Sequence, residues 1–83
     1  MDFKEKITVN EGILFFEKDL PHREDGPAIT FEDGTQIWYE HGKFHRLDGP
    51  AIIYSTGEKK WFVNGQQYFE KEFLKITKLK ILW

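Results

Sequence analysis

His45-Arg46-Leu47-Asp48-Gly49-Pro50-Ala51 repeats His22-Arg23-Glu24-Asp25-Gly26-Pro27-Ala28 at a distance of 23 residues, with six identities in seven positions. The recurrence extends outward without a gap, residues 15–37 lying on residues 38–60. Phe31 falls on Tyr54, Gly34 on Gly57, and Phe15 on Trp38 and then on Trp61. A third unit opens at Trp61-Phe62-Val63-Asn64-Gly65 and breaks at Tyr68, where a His is due. A fixed internal period of this kind marks a repeat architecture, in which each unit buries its apolar side against the next.

One unit reads as short strands and turns. Trp38-Tyr39-Glu40 is extended, His41-Gly42 turns, and Phe44-His45-Arg46 runs back. Asp48-Gly49 is expected to turn again, with Gly49 at positive φ and Asp48 bonding its local backbone. Pro27 and Pro50 open the strands that follow, where a missing donor does least harm. Ala51-Ile52-Ile53-Tyr54 is one such strand, Thr56-Gly57 a turn, and Lys59–Val63 the return to Asn64-Gly65. Upstream, Ile7-Thr8-Val9 and Ile13–Phe16 read as strands around Asn10-Glu11-Gly12. From Phe69 onward there is no Gly or Pro, and Phe69, Phe73, Ile76 and Trp83 follow helical spacing. Glu70 and Glu72 lead this segment and Lys78 and Lys80 close it, as a helix dipole favours, so a helix is expected over about 70–80. The fold expected is mainly β: an antiparallel meander of hairpin repeats over 13–68 with a C-terminal helix, all in one domain spanning 1–83.

The unit Trp38–Gly57 resembles a MORN repeat, a family of 23-residue hairpin units with an aromatic before a Gly-Lys turn, a His after it, and a Tyr before a second Gly turn. It is closer still to a divergent variant centred on His-Arg-x-Asp-Gly-Pro-Ala, which recurs in small accessory proteins of tailed phages and in large-virus proteins. The Asn-Gly turn followed by a Phe- and Lys-rich segment is similar to the ending of those phage proteins. The resemblance implies a scaffold or binding module, and a phage accessory factor that counters host defence by binding a host protein. Arg23 and Arg46 stand where ordinary MORN units carry a small Gly, so the resemblance does not extend to lipid binding.

Composition sets the limits. The chain has 83 residues and no Cys, so neither a disulfide nor a thiolate metal site supports it. Eight Phe, three Tyr and three Trp must supply the buried area instead. No apolar run reaches membrane-spanning length, the N-terminus does not read as a signal peptide, and a cytoplasmic protein is expected. The net charge of −2 offers no general attraction to nucleic acid.

Several residues are candidates for function. Arg23 and Arg46 carry forks suited to phosphate, and they are equally suited to pairing with Asp25 and Asp48 while stacked on an aromatic ring. His22 and His45 could serve as bases or ligands, although the reading finds only the turn Asp beside each of them. The bland alternative is that each His bonds a turn. Trp38, Trp61 and Tyr39 could stack bases, giving a nucleotide- or RNA-binding reading. A small hydrolase using His22, Asp25, His45 and Asp48 is a third reading, but the chain contains none of the standard catalytic motifs. A non-enzymatic protein that sequesters a partner is the first reading, without metal or cofactor. Asp25-Gly26-Pro27 and Asp48-Gly49-Pro50 are read as structural turns. A two-fold homodimer is expected because one helix cannot cover a meander, with Phe73, Ile76, Ile81, Leu82 and Trp83 at its interface.

Overall fold

A computed structural model of the chain describes residues 4–9 and 11–81. The architecture is mainly β, an antiparallel meander closed by one helix. The strands are β1 (Lys4–Val9), β2 (Gly12–Glu17), β3 (Leu20–Pro21), β4 (Ile29–Phe31), β5 (Gln36–Ile37), β6 (Tyr39–Glu40), β7 (Lys43–Phe44), β8 (Ile52–Ile53), β9 (Lys59–Val63) and β10 (Gln66–Tyr68). The helix α1 is Glu70–Ile81. Seven strands run in the order β1-β2-β4-β5-β8-β9-β10, β3 pairs with β2, and β6 and β7 form a hairpin of their own.

The turns repeat with the sequence. Lys18-Asp19, His41-Gly42 and Asn64-Gly65 each join two strands, and each places both central residues at positive φ. That is the backbone of a type I′ hairpin turn, whose twist matches the strands it joins. Gly carries the second position in two of the three turns, and in the first Asp19 takes it at φ 66. A different turn recurs at Gly34 and Gly57, whose N–H groups donate to Phe31 O and Tyr54 O. In the earlier of these, Asp33 accepts the Thr35 N–H at 2.8 Å, and that bond holds its carboxyl below the usual range.

Backbone bonds recur at the same period, within each unit and between one unit and the next. Phe15 N donates to Ala28 O and Trp38 N to Ala51 O, both at 2.7 Å. Arg23 N donates to Tyr39 O and Arg46 N to Phe62 O. Gly42 N donates to Pro21 O and Gly65 N to Phe44 O. These bonds bring Leu20 against Gly42 and Lys43 beside Gly65.

The register sorts the side chains. Antiparallel partners share a face, so Ile7, Leu14, Ile29, Ile37 and Ile52 form one unbroken aliphatic row across β1, β2, β4, β5 and β8. The helix packs on β9 and β10, at the other end of the sheet. Glu72 at its third position accepts the Phe69 N–H, half of a capping box. Phe73 is 2% exposed, so it belongs to the core of its own chain and not to the dimer interface assigned to it from the sequence. Ile76 is half-buried. Leu82 and Trp83 lie outside the described residues, as does the Ile81 side chain.

The body measures 38 × 36 × 17 Å, a slab too thin for a deep interior. Its most buried apolar residues are Ala28, Ala51, Ile52, Val63 and Phe73, and no large side chain among the described residues is fully buried. The close approach of β2 and β4 is the tightest constraint, because a Cβ on Gly12 would sit 2.1 Å from Thr30 O. That neighbour is backbone and cannot swing aside. Gly12→Ala is therefore expected to cost about 1–3 kcal/mol, read as a lower midpoint in urea unfolding with an unchanged slope.

Candidate functional site

The His-Arg-x-Asp-Gly-Pro-Ala loops are where the chemistry-bearing side chains gather. In each loop the Arg is held on three sides. Arg23 Nε donates to Asp25 Oδ1 and Arg46 Nε to Asp48 Oδ1, both at 2.9 Å. Arg23 Nη1 donates to Pro27 O at 3.3 Å and Arg46 Nη1 to Pro50 O at 3.1 Å. The Arg23 guanidinium lies 4.1 Å from the centre of the Phe15 ring, and that of Arg46 lies 3.8 Å from the Trp38 ring. A planar cation over an aromatic face is favourable by about 0.5–1 kcal/mol at partly exposed sites.

This stacking corrects the expected conformation of the Asp-Gly turns. Neither Gly26 nor Gly49 has positive φ. A Cβ on Gly49 would meet Arg46 Cζ at 2.9 Å, and one on Gly26 would meet Arg23 Cζ at 3.1 Å. These glycines leave room for a guanidinium that the Asp, the Pro carbonyl and the aromatic ring hold in place. The sequence signal for Gly was right, and its physical cause was steric and not conformational.

The two histidines repeat as faithfully. His22 Nδ1 accepts the His41 N–H and His45 Nδ1 accepts the Asn64 N–H, both at 2.9 Å. Each bond reaches 19 residues forward to the first position of the next type I′ turn. A ring nitrogen that accepts carries no proton, so the proton of the neutral ring sits on Nε2. In the second unit Nε2 faces Glu40 Oε2 at 3.4 Å. In the first it faces Glu17 Oε2 and Glu24 Oε1, each at 3.7 Å, and His22 Nε2 is buried without a hydrogen-bond partner. The His41 ring stacks on His22 with centroids 4.2 Å apart, and its Nε2 lies 3.9 Å from Glu17 Oε1.

The structure places a carboxylate other than the expected turn Asp against each His. Glu17 and Glu40 are the carboxylates that face them, five residues upstream at the end of the preceding strand. The signal was available, since Glu17 and Glu40 are themselves 23 residues apart. Glu24 and His41 have no counterpart of their type 23 residues further on, where Leu47 and Asn64 stand in their places.

The aromatic candidates are largely stacked within the chain. Tyr39 packs on Phe44 and Phe44 on Phe62, each pair at 4.8 Å between centroids. Burial pushes the Tyr39 phenol pKa up. Trp38 lies under Arg46, and Trp61 pairs with Tyr68 across β9 and β10. Two open grooves of about 380 and 450 Å³ border the loops, the first lined by Lys6, Phe15 and His22, the second by Trp38, Glu40 and Leu47. Compared with protein-family models, curated proteins and solved structures, the chain matches none.

Arg46→Lys keeps the charge but loses the planar fork, the second bond and the stack. It is expected to destabilise the chain by about 1–3 kcal/mol, seen as a clear drop in melting temperature. Gly49→Ala should cause a similar drop by displacing the same guanidinium.

Proposed function

We propose that this chain is a non-enzymatic binding module that sequesters a protein partner through its open sheet face. The observation that carries this reading is the outer part of the aliphatic row, half-buried Leu14, Ile29 and Ile37 with exposed Ile7 at its end and Phe31 beside it opposite Gly12, while Ile52 at the inner end is buried. Ile7 is 42% and Phe31 40% exposed, and the helix packs at the far end of the sheet. Apolar patches of this continuity on a small protein are sites of association. A host protein is the partner that the resemblance to phage accessory proteins suggests, and a second copy of the chain is the other protein that could cover the row.

The competing readings have less to stand on. Phosphate or RNA recognition needs open guanidinium forks, and both forks are engaged with Asp, a carbonyl oxygen and a ring. Hydrolysis by the repeated His needs a ring nitrogen with an accessible lone pair. Nδ1 of each is occupied by a backbone N–H, and Nε2 carries the proton.

The test is native mass spectrometry of the protein purified from its host cells, alongside a Phe31→Glu, Ile7→Glu variant. A retained protein partner or second copy is expected with the parent chain and should be lost in the variant. The variant's melting temperature should stay within a few degrees, since both side chains are exposed. A retained nucleotide or RNA that survives the double substitution would overturn the reading.

A further inference from the structure

We propose that Glu17, Glu24 and His41 bind a divalent transition-metal ion of the zinc class, with the Nε2–H of His22 holding Glu17 in position beside it. The proposal is independent of the sheet face and its partner.

Comparison of the two units carries the argument. Both keep a His whose Nδ1 secures the following turn, and both keep a Glu facing Nε2. Those residues are what the fold uses. The junction of the first and second units adds two more potential ligands, Glu24 and His41, where the junction of the second and third folds with Leu47 and Asn64. His41 also occupies the first position of a type I′ turn at φ 51, a place that Asn64 fills in the next unit and that Asn suits better. The surplus donors thus lie at the junction of the first and second units around His22, with Glu24 Oε1 3.7 Å from its Nε2 and the His41 ring against its own.

The geometry there is close to that of a metal site. One ligand atom from each of Glu17, His22 and His41 lies within 4.8 Å of the others, and Glu24, outside that group, reaches it through Oε1 at 3.7 Å from His22 Nε2. Donor atoms bound to tetrahedral zinc at 2.0–2.2 Å stand about 3.4 Å apart. Glu17 Oε1 and His41 Nε2 are 3.9 Å apart, so a contraction of a few tenths of an ångström closes the pair. The Glu17 side chain is fixed, at 10% exposure, while those of His41 at 63% and Glu24 at 69% are free to move inward.

His22 does not ligate, for a reason that the turn supplies. Coordination through Nε2 would require the remaining proton on Nδ1, which already accepts the His41 N–H. Its Nε2–H is instead a donor with a side-chain exposure of 2% and no partner. Ligating carboxylates are themselves hydrogen-bonded from outside the coordination shell, and losing such a partner costs about 10–100-fold in metal affinity. Glu17 Oε2, 3.7 Å away, needs to move by less than one ångström to accept this proton. Metal binding thus satisfies the buried donor that the metal-free arrangement leaves without an acceptor. Two carboxylates and one neutral imidazole balance the charge of the ion, and a fourth position is left for water.

The experiment is zinc titration of the full chain by calorimetry, with thermal melts in EDTA and in zinc, and cobalt(II) absorption to report coordination. The variants Glu24→Leu and His41→Asn install the residues that the second unit already uses, so both should melt like the parent in EDTA. The parent is expected to bind one zinc per chain and to melt about 5 °C or more higher when saturated. The double variant should lose at least about tenfold in affinity and the thermal shift with it. No binding by the parent overturns the proposal. So does undiminished binding by the double variant. A loss caused by His41→Asn but not by Glu17→Gln or Glu24→Leu would identify a lone surface histidine and overturn it as well.

Discussion

The bond from the backbone N–H of a hairpin turn to the Nδ1 of a histidine 19 residues earlier is the constraint around which the rest is arranged. A type I′ turn points its first N–H away from its own hairpin, and a hydrogen bond that pairs it contributes about 0.5–1.5 kcal/mol. The preceding unit supplies the acceptor. In doing so it fixes the ring, its tautomer and the direction of Nε2. A Glu at the end of the strand before then faces the remaining N–H. The same imidazole therefore seats the turn of the next unit and gives a carboxylate of its own unit a polar neighbour.

The Arg beside it in sequence does a parallel task in the other direction. Its fork bridges an Asp and a Pro carbonyl, closing the loop, while its flat face covers an aromatic ring and a glycine. This layering explains how so thin a chain without cysteine holds together. Ala28 and Ala51, the last residues of the two braced loops, are buried completely, and their carbonyls accept the N–H groups of Phe15 and Trp38. Stability is distributed over many half-buried rings and braced loops in place of one central core.

Much of this was legible in the residues. The 23-residue period, the turns at His41-Gly42 and Asn64-Gly65, the strand at Lys59–Val63 and the helix from Glu70 all follow from local chemistry that acts within a few residues. What was not legible depended on contacts across units. Gly49 announced a tight place, but a sequence does not distinguish a glycine needed for φ from one needed to admit a guanidinium. His22 announced a polar contact, but its acceptor role is toward a backbone group, which every residue has. Glu17 is hard to associate with the motif because it ends β2, with β3 standing between, although it recurs as Glu40. The aliphatic row crosses five strands, and it appears only when register is known, since one residue of slip would move it to the other face.

Long-range order in this chain is assembled from neighbour-to-neighbour links. The inter-unit bonds through Arg23, His22 and Gly42, and again through Arg46, His45 and Gly65, join each unit to the one after it. Such a chain behaves as a short one-dimensional array, with a stability that sums unit and interface terms. The same arithmetic sets a lower limit on length. A single unit has a histidine with no turn to hold, or a turn with no histidine, so cooperativity begins only with the second copy of the motif.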